Sequence, residues 1–167
     1  MRQQKDYIPL GVINMNRESY LVDIAGVQRD LPLFEVKSGL RIAVLNILGD
    51  TELIEASAKE LNKKLSHLDF ELIVTAESKS IPLAHALSVL RKQKYIVLRK
   101  SYKPYMGEAL RVETNSITTG TAQTLILDEK DVRLVSGKKV LVVDDVISTG
   151  STLEGMRKLM SMAGAQI

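Results

Sequence analysis

An α/β domain, with a mainly parallel central sheet flanked by helices, is the fold class that the sequence predicts. Three observations carry it. From residue 40 onward, apolar segments of strand length alternate with amphipathic segments of helical period. Several of the strand segments, such as ELIVTA and KVLVV, are apolar through most of their length, as strands buried on both faces of a parallel sheet are. The chain of 167 residues has the size of one such domain.

In chain order, the first 36 residues hold short strand-like runs such as YLVDIAG and are expected to form a small N-terminal hood (1–36), with 37–167 as the core of the same domain. LRIAVLNI at 40–47 reads as a strand of that core. GDTELIEASAKELNKKLSHL follows with Ile54, Ala58, Leu61, Leu65 and Leu68 at helical spacing, Asp50 or Thr51 as cap and Glu52 favourable in the first turn. FELIVTA (70–76) is a strand, ESKS a turn, 81–92 a helix and KYIVLRK (94–100) a further strand. SYKPYMGEALRVETNSITTG (101–120), with one proline and two glycines, reads as a long flexible loop of the kind that often serves as a functional lid. TAQTLILDE is the next strand, joined by a polar connection through Ser136 and Gly137 to the strand KKVLVVDD. A last helix carries Leu153, Met156, Leu159, Met160 and Ala163 as its apolar stripe.

Composition narrows the function. No window holds the roughly 18 uninterrupted apolar residues of a membrane span, and the start, MRQQKDYIPLGVIN, does not have the form of a secretory signal. Cysteine is absent, which excludes disulfides and thiolate metal sites and suits the cytoplasm. The 23 cations and 20 anions are mixed along the chain, so the net charge of +3 makes no nucleic-acid footprint. The densest basic stretch, RKQKYIVLRKSYK (91–103), suits a polyphosphate ligand or simply a solvated face.

Chemistry concentrates in VLVVDDVISTGST, 140–152. Ligands of open parallel sheets bind beyond the carboxyl ends of the strands, where Asp144 and Asp145 stand. Gly150 can take positive φ, Ser148, Thr149, Ser151 and Thr152 offer hydroxyls, and the following helix aims unpaired N–H groups into the same space. The combination makes an anion site suited to a phosphate monoester. A plainer alternative stands beside it: Ser151 and Glu154 satisfy a capping box, and paired aspartates can be solvated turn residues. A phosphoacceptor receiver domain also ends a strand in paired acids, but it needs most of its sheet after them, and only 22 residues follow Asp145.

The same stretch resembles the binding signature of type I phosphoribosyltransferases: four apolar residues, two acids, a short connection and T-G-S/G-T. The resemblance implies the type I phosphoribosyltransferase fold, with the small hood and a flexible loop. It implies that Asp144 and Asp145 hold the ribose hydroxyls of 5-phosphoribosyl 1-diphosphate and that Val146, Ile147, Ser148, Thr149, Gly150, Ser151 and Thr152 wrap its 5′-phosphate. TAESKS (75–80) looks like the family's diphosphate loop and so implies Glu77, Ser78, Lys79 and Ser80 as diphosphate ligands. Lys79 stands where adenine-type members carry arginine, keeping the charge and losing the bidentate fork. LRKSYK resembles the adenine-type R-K-x-x-K, implying Arg99, Lys100 and Lys103 as further diphosphate ligands; without the resemblance they are solvated cations at a strand end. Asp144, Asp145, Lys79 and Arg99 form the implied catalytic set. Mg²⁺ is the implied cofactor, carried mainly through the substrate diphosphate, with no protein metal ligand assigned. The resemblance covers roughly 27–165.

GVQRDLP (26–32) resembles the G-V-F-R-D segment with which adenine phosphoribosyltransferases read the purine edge, implying Val27, Gln28 and Arg29 as base-binding residues. Gln28 replaces the stacking aromatic. ITTG (117–120) stands where those enzymes carry L-E-Y-G with a proton-transferring glutamate, and Thr118 is a poor acid or base near neutral pH. The loop also resembles that of xanthine-type enzymes, so the resemblance implies adenine or a xanthine-like purine as the base. Tyr7, Tyr20 and Phe34 are candidate stacking partners, core packing being their more ordinary role. AGAQI (163–167) stands where the family begins another strand. The function implied is transfer of the 5-phosphoribosyl group to a purine nitrogen, giving a nucleoside 5′-monophosphate and diphosphate, by a homodimer in the cytoplasm. The alternative is a non-catalytic regulatory protein that senses phosphoribosyl diphosphate.

Overall fold

The computed structural model describes residues 17–115 and 122–167, which fall into two compact units, 17–22 with 28–45 and 23–27 with 46–167. The N-terminal strands β1 (Ser19–Ile24), β2 (Val27–Lys37) and β3 (Leu40–Ala43) form one sheet in the order β1-β2-β3. Ala25 and Gly26 join the first two with φ of 56° and 82°, a turn in which the Asp23 carboxylate accepts from the Gly26 N–H at 2.9 Å.

β3 departs from expectation. LRIAVLNI is not a strand of the parallel core; only its first four residues are strand, and they pair antiparallel with β2 through Leu33↔Ala43, Phe34↔Ile42 and Glu35↔Arg41. Gly39, at φ 76°, turns the chain back on itself, and the Glu35 carboxylate accepts from its N–H at 3.0 Å. The first compact unit ends at residue 45, so β3 lies within it. Core packing is likewise not the role of Tyr20 and Phe34, which are 61% and 40% exposed; the Arg17 guanidinium lies 3.8 Å from the Phe34 ring centroid. Tyr7 lies outside the described residues.

In the second unit, β4 (Leu72–Ala76) is the middle strand of a parallel trio, β5-β4-β8, with β5 (Lys94–Leu98) and β8 (Val140–Val143) on its two sides. Every β4 residue is buried, which explains its unbroken apolar sequence. The sheet is extended at both sides: Arg99 exchanges two backbone bonds of 2.8 Å with Ile126 of β7 (Ala122–Leu127), and Gln166 bridges in parallel to Lys139 beside β8.

Helix α1 (Thr51–Lys64) starts where the Asp50 carboxylate accepts from the Leu53 N–H at 3.1 Å, so Asp50 rather than Thr51 is the cap. Ile54 and Ala58 are buried, while Leu68, expected on the same stripe, lies past the helix end and is 42% exposed. Helix α2 (Ile81–Arg91) follows the ESKS turn, and α4 (Ser151–Met162) follows β8. Met156, Leu159 and Met160 of α4 are fully buried with Val74, Leu98, Leu125 and Leu127, each such side chain contributing about 1.5–3 kcal/mol over exposure.

Two connections hold more structure than their composition suggests. Within the expected loop 101–120, Leu110–Asn115 is a strand, β6, paired antiparallel with β7; Leu110, Val112 and Thr114 turn inward while Arg111 and Glu113 face solvent. A 3₁₀ turn at Pro104–Met106 buries Met106. The polar connection before β8 contains α3 (Glu129–Val135), begun by the Asp128 carboxylate accepting from the Lys130 N–H at 3.1 Å and anchored by buried Val135.

Candidate functional site

β4, β5 and β8 run in parallel, so their carboxyl ends and the segments that follow, 77–80, 99–103 and 144–150, lie at one edge of the sheet. At the end of β8, Asp144 lines a cavity of about 190 Å³ with residues 146–153 and with Gln123 of β7. Gly150 is the N-cap of α4 in the left-handed region (φ 79°), which places Ser151 inside the helix as its first residue. The capping-box alternative therefore fails. No side chain caps α4, and Glu154 instead pairs with Arg157 at 3.4 Å. The Thr149 hydroxyl donates to the Ser151 hydroxyl at 3.2 Å and accepts from the Ser151 N–H at 3.5 Å, arranging the loop around its own concavity. Val146 and Ile147 are 50% and 63% exposed, a poor use of branched apolar residues unless their backbone is what the loop presents.

The two aspartates are half-buried, and the Asp145 N–H donates to the Asp144 carboxylate at 3.0 Å. Burial, reinforced by the adjoining Asp145 carboxyl, pushes the Asp144 carboxyl up to about 6. The Ser80 hydroxyl lies beside Asp144, where it accepts from Thr75 at 2.8 Å and donates to the Ala76 carbonyl at 3.0 Å. Thr75 is register partner to Val143, so this buried hydroxyl pair ties the 77–80 turn to the strand end that bears the acids.

The turn is also fixed from the β5 side. The Glu77 carboxylate accepts from Arg99 Nε at 3.2 Å and from the Lys100 N–H at 2.9 Å, and the Glu77 N–H donates to the Leu98 carbonyl at 2.8 Å. The Glu77–Ser78 peptide is cis. The Lys100 N–H and the Arg99 guanidinium hold the Glu77 carboxyl below the usual carboxylate range, and Glu77 together with the Tyr105 hydroxyl raises Arg99 further. Glu77 is thus the anchor of the turn, while Ser78, Lys79, Lys100 and Lys103 are exposed.

The structure brings Ser80 to Asp144 and Glu77 to Arg99, and it gathers 146–152 around one cavity. Val27, Gln28 and Arg29 open β2 in the N-terminal sheet, where the Arg29 guanidinium donates to the Gln28 carbonyl at 2.8 Å. Thr118 and the rest of 117–120 lie outside the described residues. Gln123, Thr75 and Tyr105 are neighbours of the site that sequence reasoning missed. A signal existed for Gln123, a polar residue continuing the Leu125, Leu127 alternation of an otherwise apolar strand face. Among the described residues, no three His, Cys, Asp or Glu side chains are grouped to hold a metal, and no helix is long and apolar enough to cross a membrane.

The family model described as a phosphoribosyl transferase domain matches residues 46–167. The adenine phosphoribosyltransferase of Thermosipho africanus (strain TCF52B) is 31% identical over 147 residues, covering 87% of this chain and 83% of that protein. The hypoxanthine/guanine phosphoribosyltransferase of Methanothermococcus okinawensis is 36% identical over 104 residues, covering 62% of this chain and 53% of that one. Among solved structures, adenine phosphoribosyltransferase from Thermoanaerobacter pseudethanolicus superposes with a TM-score of 0.68 at 23% identity, covering 82% of this chain and 78% of that one. The Giardia lamblia enzyme complexed with 9-deazaadenine gives 0.69 at 21% identity, covering 81% and 75%. At these identities the structural likeness shows the fold.

Proposed function

The chain belongs to the phosphoribosyltransferase family, and from that premise we propose that it transfers the 5-phosphoribosyl group of 5-phosphoribosyl 1-diphosphate to a purine base. The observation that carries this is the cavity at the end of β8, lined by Asp144 and by Ser148, Thr149, Gly150, Ser151 and Thr152 at the uncapped start of α4. The base nitrogen attacks the anomeric carbon, the bond from that carbon to the diphosphate oxygen breaks, and diphosphate leaves with the electron pair. The proton of the base nitrogen passes to solvent. Products are a nucleoside 5′-monophosphate and diphosphate.

In this reading Asp144 and Asp145 accept from the ribose hydroxyls and face the positive charge that grows on the sugar ring. Arg99 has Nε committed to Glu77 and so offers its remaining guanidinium N–H groups to the leaving diphosphate, with Lys79, Lys100 and Lys103 adding charge that the turn leaves exposed. Mg²⁺ would enter on the substrate diphosphate, and the half-buried Asp144 and Asp145 carboxylates at the cavity are hard oxygen donors of the kind it accepts. When bound, it supplies charge neutralisation for the leaving group. Cytoplasmic residence and a homodimer belong to the same proposal, supported by the lack of cysteine and by the family.

The relatives described above are named as transferases, which favours catalysis over sensing. Adenine heads the list of bases because the Thermosipho enzyme spans most of the chain. The test is diphosphate release from phosphoribosyl diphosphate and Mg²⁺ with adenine, hypoxanthine, guanine and xanthine in turn. Turnover with one purine, abolished in Asp144→Asn/Asp145→Asn, is the expected result. Donor binding with no turnover on any base refutes the enzyme and leaves the sensor.

A further inference from the structure

Among the described residues, every side chain lining the cavity at the end of β8 comes from the segment 144–153, except one. Gln123 enters from β7. Its strand alternates, so that it shares a face with Leu125 and Leu127, which are 1% and 0% exposed and pack in the core with Met156, Leu159 and Met160 of α4. Leucine thus gives way to a carboxamide where this apolar stripe reaches the cavity.

The backbone of Gln123 is held firmly. Thr114 is its register partner, and the Thr114 hydroxyl donates to the Gln123 carbonyl at 3.1 Å. Thr114 in turn meets α4 at Gly155, where an added Cβ would lie 2.1 Å from the Thr114 methyl. That approach fixes the spacing between β7 and the helix whose N-terminus carries the 146–150 loop. Gln123 therefore has little freedom except in its side chain.

The carboxamide suits a phosphorylated pentose beside a carboxylate. Its N–H groups donate to phosphate oxygens and its oxygen accepts from a sugar hydroxyl. A carboxylate at this position would repel the phosphate, and a lysine would pair with Asp144 and occupy the space. We propose that Gln123 is a further binding residue for the 5-phosphoribosyl group, donating its carboxamide N–H to the 5′-phosphate from the β7 side of the cavity. This rests on the reading of the cavity given above.

The experiment is calorimetric titration of the full chain with ribose 5-phosphate, on wild type, Gln123→Leu, Gln123→Ala and Gln123→Glu, with thermal midpoints measured in parallel. Gln123→Leu continues the apolar stripe and keeps the fold. Both neutral variants are expected to bind about tenfold more weakly, the loss of one hydrogen bond to a charged acceptor, and Gln123→Glu more weakly still, with midpoints near wild type. In steady-state assays KM for the phosphoribosyl donor rises by a similar factor while KM for the base holds. Binding within twofold of wild type in all three variants overturns the proposal, as does weakening that follows the midpoint and is absent from Gln123→Leu. If wild type itself fails to bind ribose 5-phosphate, the reading of the cavity falls first and takes this inference with it.

Discussion

Replacing Asp144 by asparagine keeps the shape of the side chain and the acceptor for the Asp145 N–H, and removes a charge that the folded protein holds at a cost. The carboxyl stands at 3.8 when unperturbed and is pushed up to about 6 by burial and by its neighbour. At about 1.4 kcal/mol per pH unit the ceiling is ~3 kcal/mol, and solvent reaching a half-buried carboxyl brings the expected figure to about 1–2 kcal/mol. The sign follows from linkage. Below pH 3.8 the group is protonated in both states and the penalty is absent; it grows as pH rises toward 6 and is complete above. Asp144→Asn should therefore match wild type at acid pH and exceed it at pH of about 7.5, where each kcal/mol is worth about 2–4 °C in a domain of this size. The assay is thermal unfolding of both proteins across that range, with donor binding measured alongside. A variant that gains several degrees near neutral pH while losing the donor identifies Asp144 as a residue kept for ligand chemistry. Equal or lower stability at neutral pH, or a difference that does not vary with pH, refutes the reasoning.

Gly155→Ala gains about 1 kcal/mol of helix propensity, but its methyl would meet Thr114 Cγ2 at 2.1 Å and Leu125 Cδ1 at 3.1 Å. Overpacking of about 1–3 kcal/mol should dominate; a melting midpoint several degrees lower, partly restored by adding Thr114→Ser, is the expected outcome. Arg99→Ala removes both a cation and the side-chain clamp on Glu77, and should raise KM for the phosphoribosyl donor about tenfold or more while leaving KM for the base within a factor of about two. Glu77→Gln keeps an acceptor for the Lys100 N–H and should show a smaller rise in the same steady-state assay.

The parts of this molecule that were legible in the sequence are those whose meaning is local. In VLVVDDVISTGST the strand, the acids, the positive-φ glycine and the helix start are consecutive, so order alone specifies how they meet. The contacts that tune the site are not local. Ser80, hydrogen-bonded to Thr75, reaches Asp144 because β4 and β8 are adjacent parallel strands, and no residue pattern near Asp144 announces it. LRIA was misplaced for a related reason. An apolar run reads alike for a buried parallel strand and a hairpin strand, and the Gly39 turn that decides between them carries no apolar signal. β6 was hidden by its neighbours: LRVET has period-two alternation, but the proline, glycines and polar residues around it gave the window the composition of a loop.

Helix capping separates the structural helices from those that face the ligand. α1 and α3 begin with aspartates, Asp50 and Asp128, whose carboxylates accept from Leu53 and Lys130 N–H groups. α2 and α4 have no side-chain cap, and they are the two helices that follow the 77–80 turn and the 146–150 loop. Ser80 has a hydroxyl suited to capping α2 but spends it on the Ala76 carbonyl. Gly150 has no side chain with which to cap α4. Open N–H groups cost little at a helix start bathed in water, and they keep an anion site available. Gly150→Asn tests whether the open end of α4 is kept for phosphate. Asparagine tolerates the left-handed conformation at φ 79° and can accept from the first-turn N–H groups. The thermal midpoint should be held or rise slightly, and ribose 5-phosphate should bind more than tenfold weaker in calorimetry, because the carboxamide takes the donors that the 5′-phosphate needs. A stable Gly150→Asn protein with undiminished affinity would show that these N–H groups do not serve the ligand.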